Sequence, residues 1–154
     1  MMLADPTLEF AFEFKVLVAA PQNFGTTTYG QRRVVPVIGG TFEGPAIRGV
    51  ILPGGSDWQT VRADGTIDLE ARYTLQTDDG VLILIENRGI RTGSPDVLAR
   101  LAQGQEVSPA EYYMRSYALF ETGDNQYGWL SHTVFVGTGM RSGNQVTIRF
   151  YKVL

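Results

Sequence analysis

The 154 residues predict an all-β chain: an antiparallel, mostly up-and-down β-barrel of about nine strands with one short helix near 95–103. Three observations carry that expectation. Thr66–Thr77, TIDLEARYTLQT, puts Ile67, Leu69, Ala71, Tyr73 and Leu75 on one parity and mostly polar residues on the other, which is a strand with one dry face. Asp- and Gly-rich turns such as Asp64-Gly65 and Asp78-Asp79-Gly80 separate runs of this kind. The chain also has 18 glycines, many at interior strand positions. Such glycines weaken a flat sheet but suit a bent one that closes on itself and hides its edges.

Taken from the N-terminus, Leu8, Phe10, Phe12, Phe14, Val16 and Val18 share one parity and form the first strand. Gln31–Val37 and Pro45–Leu52 flank the pairs Gly39-Gly40 and Gly44-Pro45. Trp58–Arg62 resumes after the turn residues Pro53-Gly54-Gly55-Ser56. Val81–Ile85 is apolar at every position and predicts a strand covered on both faces. Tyr112–Thr122, Tyr127–Gly137 and Asn144–Val153 complete the strands. The helix starts at Ser94-Pro95-Asp96, a capping hydroxyl, a proline at the first helical position and an acid at the positive dipole end. Leu98 and Leu101 supply its apolar stripe and Gly104 ends it, while Ser108-Pro109 starts a single further turn.

Composition narrows the function. The length fits one domain, 1–154, with a core large enough to need no staples. Cysteine is absent, which removes disulfides, thiolate chemistry and cysteine–zinc sites. His132 is the one histidine, so no multi-histidine metal site exists, and no metal or other cofactor is expected. No glycine-rich phosphate loop, dinucleotide fingerprint or G-x-S-x-G elbow is present. The net charge of −3 with scattered Lys and Arg argues against nucleic acid. No apolar run reaches the roughly 20 residues of a membrane helix. The first fifteen residues place three acids before their only lysine, the wrong polarity for a secretory signal, so a cytoplasmic location is expected.

What remains is a polar–aromatic set. Asp57 stands beside Trp58 where a strand resumes, as at the lip of a pocket. The candidate proton-transfer groups are Asp57, Glu121 and His132; the candidate ligand-binding groups are Trp58, Arg62, Tyr73, Arg115 and Trp129. Each has a structural alternative: Trp58 as a core or interface anchor, Arg115 with Glu121 as an ion pair, His132 as a satisfied, partly buried side chain. Asp68, Glu70 and Arg72 form a solvated strand face.

Several strings occur together in order: GGTFEGPAIRG, LPGGSDW, RADGTIDLEARYTLQTDDG, NRGIR, EYYMRSYALFETGDNQYGWLSHTVFVGTGMR and VTIRFYKV. By these the chain resembles the domain-of-unknown-function family three-two-three-seven, an uncharacterised protein family, from about residue 8 to 154. The resemblance implies a compact antiparallel β-barrel that self-associates, and it implies no particular reaction. Positions that match the family's motifs include Gly54, Gly55, Asp57, Trp58, Arg62, Tyr73, Arg115, Glu121 and Trp129; His132 lies where other residues are common.

The expectation is therefore a homo-oligomeric barrel that binds a small organic acid or aromatic ligand, as a cofactor-free isomerase, cyclase or lyase. In that reading Arg62 or Arg115 holds an anionic oxygen and Asp57 or Glu121 moves a proton. Two alternatives stand beside it: a non-catalytic interaction module using Val81–Ile85 and Tyr112–Phe120, and a hydrophobic-metabolite carrier.

Overall fold

A computed structural model describes residues 1–154. Ten strands form a single antiparallel sheet: β1 (Leu8–Val18), β2 (Gln22–Thr27), β3 (Gly30–Glu43), β4 (Arg48–Ile51), β5 (Ser56–Val61), β6 (Ile67–Thr77), β7 (Leu82–Gly93), β8 (Tyr112–Glu121), β9 (Phe135–Ser142) and β10 (Gln145–Val153). Eight of them close a barrel in the order β1-β3-β5-β6-β7-β8-β9-β10, with β10 pairing back to β1. β4 shares with β5 the gap between β3 and β6, and β2 extends the hairpin on β3. No helix is long and apolar enough to cross a membrane.

The barrel is as expected, and its strand count and some boundaries differ. β2 carries no buried side chain, so the period-2 signal that marks a half-buried strand is missing from it. β3 continues to Glu43 through Gly39 and Gly40, whose φ values of 150° and 136° bend the strand where its register with β1 shifts. β7 continues past Ile85 to Gly93 and alternates: Ile83 and Ile85 point inward, while Leu82 is 54% exposed. Val81–Ile85 is thus covered on one face. Tyr127–His132 is not a strand but part of a 3₁₀ segment, Asn125–His132. There Asp124 caps the Gln126 N–H, and Ser131, His132 and Thr133 bond the carbonyls of Gly128 and Trp129, local bonds that compete with a ladder.

Helix α1 (Pro95–Ala102) begins with Ser94 accepting from the Val97 N–H at 3.3 Å, as its sequence predicts. Ser108 and Glu111 close a capping box on the single turn Pro109–Glu111. Val97 buries against Val107, Tyr112 and Met114, which ties this excursion to one end of the barrel.

The interior has two storeys. The floor is aromatic: Phe12, Phe14, Phe42, Phe120, Phe135 and Phe150 are at most 4% exposed and meet mostly at tilted or edge-on angles. Tyr127 and Leu130 of the 3₁₀ segment pack onto the same core. The upper storey is lined by smaller apolar side chains, among them Val16, Val35, Ala71 and Val146, and by polar ones.

Candidate active site

The polar group is assembled from the neighbouring strands β3, β5, β6 and β7, with Arg141 added from β9. Gly54, at φ 111°, and Gly55 turn the chain from β4 into β5. Gly55 lies so close to Tyr73 and the Arg72 carbonyl that a Cβ there has no room. This approach seats Asp57 between Val35 of β3 and Ala71 of β6. Asp57 and Gln59 share the inner parity of β5, and Trp58 points outward. Tyr73 of β6, Asn87 and Arg91 of β7, and Arg141 of β9 line the same cavity of about 60 Å³.

A chain of donors leads to Asp57. Arg33 Nε donates to Gln59 Oε1 at 2.5 Å, and Gln59 Nε2 donates to Asp57 Oδ2 at 2.6 Å. The Glu70 backbone N–H donates to Asp57 Oδ1 at 2.8 Å. Asp57 keeps partial solvent access as a residue, yet burial is the largest influence on its carboxyl group and raises its pKa. The bonds from Gln59 and Glu70 and the charges of Arg33 and Arg91 oppose that rise without cancelling it. Burial, with the Asp57 charge adding to it, pushes the Tyr73 hydroxyl far up, so it remains a neutral phenol. Burial and then Arg33 and Arg141 lower Arg91 to about 10, which leaves it cationic at neutral pH.

Three polar atoms here have no partner within the protein: Tyr73 Oη, Asn87 Oδ1 and Arg91 Nε. Their residues are only 3%, 6% and 7% exposed. A buried polar atom left without a bond is destabilising by about 1–3 kcal/mol, and native proteins hold few of them. These three all belong to residues lining the cavity that Asp57 also lines. The arrangement offers an acceptor at Asn87, a donor at Arg91, a donor or acceptor at Tyr73 and a proton carrier at Asp57.

Of the residues singled out in the sequence, the structure brings Asp57 and Tyr73 together and places the other six elsewhere. Trp58 is 51% exposed and stacks on Phe24 on the outer wall, ring centroids 6.3 Å apart. Arg62 donates from Nε and Nη2 to the two carboxylate oxygens of Asp68 at the surface. Arg115 lies over the Tyr113 ring and donates to the Met114 carbonyl, on the outer parity of β8. Glu121 shares that parity, is exposed and makes no ion pair with Arg115. Trp129 sits in the 3₁₀ segment between Phe135 and the Lys152 ammonium, by the floor. His132 is exposed, with Nδ1 2.9 Å from the Gly128 carbonyl. Gln59, Asn87, Arg91, Arg33 and Arg141 join the site without being among the candidates read from the sequence. Gln59 was accessible through its shared parity with Asp57, and Asn87 and Arg91 through the inward parity of Ile83 and Ile85.

Comparison with known proteins settles the family. A family model described as "Protein of unknown function (DUF3237)" matches residues 6–153. The chain belongs to the DUF3237 family. A UPF0311 protein of Rhodopseudomonas palustris is 38% identical over 151 residues, covering 97% of this chain and 99% of the relative. The crystal structure of a conserved R. palustris protein of unknown function superposes with a TM-score of 0.94 at 36% identity, over 99% of this chain and all of that one. A β-barrel-like protein of Acinetobacter baumannii gives a TM-score of 0.87 at 41% identity, over 99% of each chain. More distantly, a hydroalkoxylation enzyme of Penicillium herquei is 28% identical over 133 residues, 86% of this chain and 74% of the relative.

Proposed function

We propose that this DUF3237 barrel binds a small acidic or aromatic metabolite in its upper storey and moves a proton on it without a cofactor, as an isomerase, cyclase or lyase. The observation that carries this reading is the convergence of three unpartnered buried polar atoms, on Tyr73, Asn87 and Arg91, on the cavity that Asp57 also lines. A packing core leaves few such atoms and does not gather them on one cavity, whereas a ligand oxygen satisfies them.

Asp57 is the proton carrier. Its raised pKa brings it toward the range in which a carboxyl group both gives and takes a proton. Arg91 holds developing negative charge on a ligand oxygen, in a pocket where burial strengthens that attraction. Tyr73 and Asn87 orient the ligand, and the small apolar residues bound its shape.

The P. herquei relative supports chemistry of this class. Hydroalkoxylation adds an O–H across a carbon–carbon double bond. The acid form of Asp57 would give its proton to one alkene carbon while the hydroxyl oxygen bonds to the other. The hydroxyl proton then returns to the Asp57 carboxylate, so the balance closes with no oxidant or metal.

The test is a thermal-shift screen of aromatic and keto acids against wild type, Asp57→Asn and Arg91→Met. A ligand at 100 times its Kd should raise the wild-type melting temperature by about 5 °C or more. Arg91→Met should lose that response, and Asp57→Asn should bind but fail to turn over a substrate. A screen in which no acid shifts melting, or in which Arg91→Met responds like wild type, refutes the reading.

A further inference from the structure

The chamber around Asp57 does not stand alone. Above it, a second hollow of about 340 Å³ lies between the barrel rim and the end of α1. Arg91 and Arg141 line both, so the hollows meet at these two side chains. Arg33 lines the upper one as well. The inner chamber, at about 60 Å³, takes only a fragment of a metabolite, since ligand sites commonly span about 300–1,000 Å³. The upper hollow is large enough for the rest.

Its charge is one-sided. Every ion pair in the chain uses some other cation; none includes Arg33, Arg91 or Arg141. Arg33 and Arg141 are half-buried, and Arg91 is buried with Nε unpartnered. Arg141 spends its own Nε on the Gly143 carbonyl at 3.2 Å. The carboxylate nearest the rim by sequence, Glu106, accepts from Ser142 at 2.9 and 3.0 Å. The end of α1 adds little opposing charge, because the N–H groups of Gln103, Gly104 and Gln105 close the carbonyls of Ala99, Leu101 and Arg100. Three guanidinium groups gathered here repel one another: Arg141 lowers the pKa of both Arg33 and Arg91, and the opposing pull of Asp57, the one carboxylate that acts on both, is the smaller influence on each. An anion placed among them relieves that repulsion.

We propose that Arg33, Arg91 and Arg141 form an anion subsite, and that the substrate is a carboxylic acid whose carboxylate stays in the upper hollow while its neutral, unsaturated end reaches Asp57. The inference rests on the barrel-ligand reading above and adds the class of substrate and its direction of binding. A planar carboxylate suits the forked donors of guanidinium, and a ligand anchored this way presents its far end to Asp57 and Tyr73. It also keeps the ligand's own charge away from Asp57, where a second carboxylate would be repelled.

Calorimetric titration of the full chain with trans-cinnamate, cinnamamide and phenyl phosphate tests this. Cinnamate should bind at least about tenfold tighter than cinnamamide, the difference expected when charge-assisted bonds lose the ligand's charge. Added sodium chloride should shrink that ratio in the wild-type protein, a result that needs no variant to fold. Arg141→Gln should bring the ratio close to one, Arg141→Lys should keep part of it, and the outward Arg115→Gln should leave it unchanged. Equal binding of acid and amide, both altered by Asp57→Asn, overturns the anion subsite and leaves the barrel-ligand reading standing. Tighter binding of phenyl phosphate than of cinnamate overturns the carboxylate assignment. If none of the three probes binds, the subsite falls, and the broader acid screen decides the parent reading separately.

Discussion

The Arg33 side chain carries only donors, and that fact orients Gln59. Because Arg33 Nε donates to Gln59 Oε1, Gln59 must turn its amide N–H toward Asp57 Oδ2. Gln59 therefore acts as a positioning residue. Gln59→Leu should destabilise the fold by about 1–3 kcal/mol, because it strips a bond from both Arg33 and Asp57 in a half-closed site; chemical denaturation measures this. Asp57 makes a second prediction, on pH. Its folded-state pKa lies above the unfolded value, so the folded chain binds the extra proton and its stability falls as pH rises from the unfolded pKa to the folded one. Asp57→Asn removes that dependence. The melting temperature of Asp57→Asn minus that of wild type should be more positive at pH 7 than at pH 4, whatever constant offset the amide introduces. A difference that is flat across this range, or of opposite slope, contradicts the raised pKa.

At the scale of the element, what was legible depended on whether polar residues faced in or out. β6 was readable because its inward residues, from Ile67 to Leu75, are apolar or aromatic and its outward ones mostly polar. The same parity rule holds in β7, but there the inward set continues through Asn87 and Arg91. Glu86-Asn87-Arg88 reads as a polar break, which hides the continuation of the strand where the site begins. Polar groups turned into the barrel erase the alternation that marks a strand, and their burial is the functional feature itself. Outward aromatics mislead in the opposite sense: Trp58, Tyr113 and Tyr117 are half exposed and lie on the outer wall. The junction of β4 and β5 also makes a prediction. Any Cβ at Gly55 meets the backbone and Cβ of Tyr73, so Gly55→Ala should cost about 1–3 kcal/mol in urea unfolding and weaken ligand binding with it. Gly80, whose Cβ position is open, is a poor substitute for this test because its φ of 87° strains alanine by itself.

At the scale of the molecule, barrel closure rests on long-range pairings, β1 with β10 and β1 with β3, which no local pattern reveals. Glycine content pointed to curvature, and the register could come only from the structure. Each barrel strand is held on both sides, whereas the excursion with α1 is held mainly by Val97 and Leu101 against Tyr112 and Met114. Amides of residues 94–105 should therefore exchange with solvent faster than those of β1 and β10, and a bound ligand should slow them, as hydrogen–deuterium exchange can measure. Equal protection of the two regions would mean that this segment does not open to admit a ligand. The two tryptophans lie far apart in character: Trp58 is on the outer wall, on the strand that carries Asp57, and Trp129 is held between Phe135 and Lys152 by the floor. Each is consequently a natural fluorophore for a different storey, so a collisional quencher reaching Trp58 ahead of Trp129 would let one cuvette follow the rim and the base of this barrel separately, without any attached dye.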